Sequence, residues 1–144
     1  MPPNRRPFPL TLLPLLMLLL LLLLAGCGED PLGPDNRMAL LAFGQCRHDQ
    51  ALQLADNAIE RGSDRNLQQA LMLKAAILRD RGDSAGAEAL YPRIDETWEA
   101  VKRRALSPER RERDIALFID IAQRERIAQG LAPDCADAAP PLKP

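Results

Sequence analysis

Aromatic side chains are scarce in this chain: three Phe, one Trp and one Tyr among 144 residues. Few stacking platforms for bases or sugars can be built from so few rings. Any core must therefore come from Leu, Ile and Ala. Histidine occurs once, at His48, and cysteine three times. That set fits no zinc-like spacing, so no metal is expected. Valine occurs once, at Val101, and no stretch alternates apolar with polar positions. The chain accordingly reads as helix throughout. Its net charge is only −1, which gives no global field to draw in nucleic acid. A phosphate loop is missing too. Gly82-Asp83-Ser84-Ala85-Gly86 is a turn with no Gly-Lys-Ser/Thr after it.

What the chain does have is a long apolar run near its start. Met1 to Pro9 is polar and carries Arg5 and Arg6. Leu10 to Leu24 is almost pure leucine, interrupted by Pro14. Those fifteen residues are fewer than the roughly 20 that cross a bilayer as a helix. Small Ala25 and Gly26 follow, then Cys27. This is the three-part layout of a secretory signal. A retained membrane anchor and a cleaved signal without lipidation are the alternatives. Leu24-Ala25-Gly26-Cys27 resembles the lipobox of bacterial lipoproteins. The resemblance implies a diacylglyceryl group on the Cys27 thiol and cleavage before it, so residues 1–26 would be lost. Acyl chains on Cys27 would hold the protein to membrane lipid, each methylene contributing about 0.8 kcal/mol. Gly28 in place of Asp points to the outer membrane, facing the periplasm.

The remainder divides into 27–34, the lipidated Cys and a Pro/Gly-rich tether; 35–131, a folded body; and 132–144, a Pro/Ala-rich tail. In the body, Asp35 or Asn36 is expected to cap a first helix to Arg47, with Met38, Leu41, Ala42 and Cys46 inward. Asp49 caps a second, ended by Gly62, and Ala51, Leu54, Ala55, Ala58 and Ile59 form its stripe. Asp64 caps a third, to Arg81, with Leu67, Ala70, Leu71, Lys74, Ile77 and Leu78 on one face. A fourth opens at Asp83 or Ser84 and reaches Arg104, kinked or broken near Tyr91 by Pro92. Ser107-Pro108-Glu109 starts a fifth, running to Gln129, with Ile115, Phe118, Ile119, Ala122 and Ile127 inward.

The expected fold is all-α: antiparallel helix pairs in a short solenoid or bundle of about five helices. Cys46, Ala51, Leu54, Ala55 and Ala58 can be laid over Gly82, Ala87, Leu90, Tyr91 and Ile94 at an offset of 36 residues. This spacing resembles the tetratricopeptide repeat, a helix–turn–helix unit of about 34 residues. Lys74 and Leu71 depart from its signature positions, and no closing proline follows either copy. The resemblance implies a protein-binding groove between helices one and three. Arg47, Lys74 and Arg81 would be its polar contacts.

The lipobox also implies an oxidising compartment. Cys46 and Cys135 could then bridge, closing a long loop worth up to about 4 kcal/mol. Two separate thiols are the alternative. His48 beside Cys46 is no catalytic pair, because neighbours two apart on a helix face different ways. No catalytic residue and no cofactor is expected. The basic cluster Lys102-Arg103-Arg104 and Arg110-Arg111-Arg113 suits headgroups or an acidic partner. Glu109, Glu112 and Asp114 among them suit an ordinary solvated joint. The resulting expectation is a lipid-anchored accessory or scaffold subunit with a protein partner in the bacterial envelope. A stand-alone structural or stress lipoprotein is the alternative, and an enzyme a distant third.

Overall fold

The computed structural model describes residues 32–136. The leucine run, Cys27 and the end of the tail lie outside the described residues. Six helical segments make up the body: α1 Pro34–Gly44, α2 His48–Arg61, α3 Asp64–Asp80, α4 Ser84–Glu88, α5 Tyr91–Lys102 and α6 Pro108–Ala128. No strand occurs among the described residues. The fold is all-helical.

The segment expected to run from Asp83 to Arg104 is two helices, α4 and α5. Asp83 caps α4 by accepting from the Gly86 N–H at 2.9 Å. The helix stops at Glu88, and α5 restarts at Tyr91 with Pro92 in its first turn, where a missing donor costs nothing. α6 begins as its sequence dictates. Ser107 Oγ accepts from the Arg110 N–H at 3.2 Å and Pro108 takes the first helical position. The other expected caps differ. Gly33 precedes α1, which opens on Pro34 inside the segment read as tether. Asn36 is buried within α1 and donates to Leu32 O and Asn66 O instead of capping. Asp49 and Asp64 lie in the first turns of α2 and α3, behind Arg47 and Ser63.

α3 is the hub, and each of the other five helices packs against it. That position explains its burial. Gln68, Ala70, Leu71, Met72, Leu73, Ala75, Ala76, Ile77 and Leu78 are all buried, far more than one amphipathic stripe. Each large side chain so buried contributes about 1.5–3 kcal/mol. Small residues on the neighbours, Ala51, Ala55 and Ala58 on α2 and Ala39 and Ala42 on α1, let the helices approach α3 closely. α6 returns to α1 as well as to α3, which closes the bundle.

One expected inward face is rotated, and another departs only at its last step. On α1 the buried residues are Asn36, Ala39, Ala42, Phe43 and Gly44, whereas Met38 and Leu41 are 50% and 44% exposed. On α6 they are Ile115, Phe118, Ala122 and Arg126, while Ile127 is 62% exposed. An apolar residue with no neighbouring helix over it stays in solvent, whatever its hydropathy.

α1, α3 and α6 end alike. In each, an N–H bonds to the carbonyl five residues back, inside which the preceding N–H bonds three back. The pairs are Arg47 to Ala42 with Cys46 to Phe43, Asp83 to Leu78 with Gly82 to Arg79, and Leu131 to Arg126 with Gly130 to Ile127. This motif needs a left-handed residue at its second-last position. Gly82 and Gly130 supply it at φ of 89° and 75°. At the end of α1 a cysteine, Cys46, adopts φ of 59° in their place.

Candidate functional site

Two clusters concentrate chemistry. The first sits where α1, α3 and α6 meet. Arg126 is fully buried on α6. An isolated buried guanidinium would be prohibitive, so partners must surround it. Its Nη2 donates to Asp80 Oδ2 at 2.8 Å and Phe43 O at 3.1 Å. Its Nη1 donates to Asp80 Oδ1 at 3.2 Å and Pro133 O at 2.6 Å. The guanidinium also lies 4.9 Å from the Phe43 ring centroid. One side chain thus ties the end of α1, the end of α3 and the segment after α6 together.

His48 completes the cluster, with Nε2 2.8 Å from Asp80 Oδ2. An ionised carboxylate only accepts, so Nε2 carries the proton here. Burial pushes the Asp80 carboxyl up, but the hydrogen bonds from His48 and Arg126 outweigh it and hold it below the usual aspartate range. Cys46 and Cys135 are joined by a disulfide beside it. His48, Asp80 and Cys135 bring donor atoms within 4.8 Å of one another. They do not make a ligand set while the bridge stands. The sulfur is not a thiolate, and both Asp80 oxygens are engaged. The arrangement does structural work, as a buried latch.

The second cluster is a cleft of about 280 Å³ between α3, α5 and α6. Met72, Phe118 and Trp98 give it an apolar floor, and Leu117, 55% exposed, stands at its edge. Arg65, Lys102 and Arg110 line it as cations. The lone carboxylate in the lining, Asp114, is taken by Arg110 at 3.2 Å. Lys102 Nζ lies 5.8 Å and Arg110 Cζ 5.2 Å from the Trp98 ring centroid, so two cations share one aromatic. Gln68 and Trp98 are 2% and 4% exposed, and both line the cleft. Gln68 Oε1 and Trp98 Nε1 are buried with no hydrogen-bond partner in the protein. Each orphan of this kind costs about 1–3 kcal/mol.

Beside the cleft, the α3–α5–α6 junction also carries a network of ion pairs, although Arg111 Nε within it is buried without a partner. Arg79 binds Glu112 at 2.7 Å and the Tyr91 hydroxyl. Arg111 binds Asp95 at 2.7 Å and lies over the Tyr91 ring at 4.2 Å. The Glu112 carboxyl is held down by its hydrogen bond from Arg79, and burial pushes the Tyr91 hydroxyl up.

The three residues expected to line a groove all have partners on α2. Lys74 pairs with Asp56 at 2.5 Å and Arg81 with Asp49 at 2.8 Å, both across the α2–α3 seam. Arg47 donates to Gln50 in the first turn of α2, the helix it precedes. None of the three lines the cleft. Sequence reasoning passed over Arg126, Asp80, Gln68 and Trp98 as site residues. The one signal for the cleft was the basic cluster, of which Lys102 and Arg110 reach Trp98.

No known protein family matches this chain, and no curated protein or solved structure does so either. Among the described residues, no helix is long and apolar enough to cross a membrane.

Proposed function

We propose that this chain is a lipid-anchored protein of the bacterial envelope, held to membrane lipid through acylated Cys27. In this reading it acts as a non-enzymatic accessory or scaffold subunit, docking a partner protein on its helical body. The docking surface is the face made by α3, α5 and α6, in place of the groove between helices one and three. The single observation behind it is the cleft there, with two buried polar atoms left unpaired beneath three cations. Unpaired buried groups cost stability, and two of the five among the described residues fall together in this one cationic cleft, where a ligand could meet them. The tetratricopeptide likeness belongs to this proposal, and repeats of that kind act by docking partners.

Anchoring and docking are tested together in cells fed a radioactive fatty acid. The protein is expected to take up label, to lose it in a Cys27→Ala variant, and to leave the membrane fraction with it. A photo-crosslinker at residue 117 is expected to trap one discrete protein adduct, whereas one at residue 53 on α2 traps none. Labelled Cys27→Ala protein would end the anchoring claim. Identical crosslinking from both faces would end the docking claim.

A further inference from the structure

We propose that the cleft between α3, α5 and α6 binds an acidic peptide segment in extended form. Trp98 and Gln68 take its backbone, and Arg65, Lys102 and Arg110 take its carboxylates. This deepens the partner-docking reading above and rests on it.

The orphaned atoms set the chemistry. Trp98 Nε1 can only donate, and Gln68 Oε1 can only accept. Both are buried and unpaired. The complement is a ligand that offers both an acceptor and a donor along its length, as a peptide backbone does. The oxygens of a phosphodiester only accept, so that group by itself would serve Trp98 and leave Gln68 unmet. The charge points the same way. Three cations and one carboxylate line the cleft, and that carboxylate already pairs with Arg110. Acidic side chains on either side of an extended backbone would meet the cations. The apolar floor of Met72 and Phe118 then accepts an aliphatic side chain between them. Leu117 at the edge remains exposed to cover it.

Trp98 is the only tryptophan in the chain, so its emission reports the cleft directly. The full chain is placed in nanodiscs of neutral phosphatidylcholine and titrated with a blocked decapeptide of alternating leucine and glutamate. A saturable change in Trp98 emission is expected, weakening as salt is raised. The same peptide built with lysine is expected to give none. Lys102→Glu with Arg110→Glu is expected to weaken binding more than tenfold. Gln68→Met separates site from scaffold. It is expected to weaken binding about fivefold while raising the Tm, because an unmet buried oxygen is gone. A purely structural Gln68 would lower the Tm on replacement and leave affinity unchanged, which overturns the assignment. No response to the glutamate peptide, or equal response to the lysine peptide, overturns it too. So does a response to phosphatidylglycerol in the nanodisc with none to peptide, which would give the cleft to lipid. A discrete protein adduct from residue 117 alongside a failed titration would overturn the acidic-peptide claim and leave partner docking standing.

Discussion

Replacing Arg126 by methionine is expected to lower the Tm by roughly 10–20 °C. Breaking a buried ion pair from one side costs about 3–5 kcal/mol, since the remaining charge stays buried without its partner. In a body of this size each kcal/mol moves the Tm by about 4 °C. Arg126 is fully buried and Asp80 nearly so, and Phe43 O and Pro133 O lose a donor in the same change. Thermal unfolding followed by circular dichroism measures the loss. Lys74→Met breaks a partly exposed pair with Asp56 and is the comparison, with an expected change of about 1 kcal/mol or less. Similar losses in the two variants would refute the latch. Adding Asp80→Asn to Arg126→Met is expected to recover part of the stability, because the stranded charge is removed.

Acid should reveal the same pair. The Asp80 carboxyl is held below its usual range in the folded state by His48 and Arg126 against the push of burial. A depressed carboxyl contributes stability in full above its unfolded value of about 3.9. That contribution is lost as pH falls through the lower folded value. The wild-type Tm is therefore expected to fall steeply below about pH 4. The Arg126→Met variant, with one of the two stabilising donors gone, should show a shallower fall.

Why the latch escaped the sequence is a matter of register. The inward positions of α6 run Ile115, Phe118, Ala122, and the next step of four lands on Arg126. A reading that follows hydropathy leaves the step at that point and takes Ile127, which is 62% exposed. Local pattern cannot announce that a charge will be neutralised by a residue 46 positions away. On α1 the same rule failed by another route. Met38 and Leu41 had no helix to cover them, while Ala39 and Phe43 faced α3 and α6. Features encoded within a few residues were legible: the Ser107–Pro108 start, the break before Pro92, the glycine after α3 and the all-helical class. The cleft needed three helices to meet, so only its basic rim could be seen beforehand.

Removing the bridge between Cys46 and Cys135 is expected to cost about 3–4 kcal/mol, read as a Tm lower by roughly 10–15 °C in a Cys46→Ala, Cys135→Ala double variant. The two residues are 89 apart, so the unfolded chain regains the freedom of a long closed loop. The end of α1 says more about what that cysteine costs. Three helices close with the same pair of hydrogen bonds, and two of them put glycine at the left-handed position. Cys46 stands at the third with φ of 59°, a conformation that disfavours any side chain by about 1–2 kcal/mol. A cysteine there is worse than glycine for the helix end and useful only through its sulfur. Once Cys135 is alanine, that use is gone. Cys46→Gly in the Cys135→Ala background should therefore be more stable than Cys46→Ala by about 1 kcal/mol. Urea unfolding of the two variants side by side measures the difference. If glycine proves no better than alanine, the left-handed end of α1 is not strained. If the double alanine variant melts with the parent, the covalent tie contributes nothing and the Arg126 latch alone holds the end of the chain.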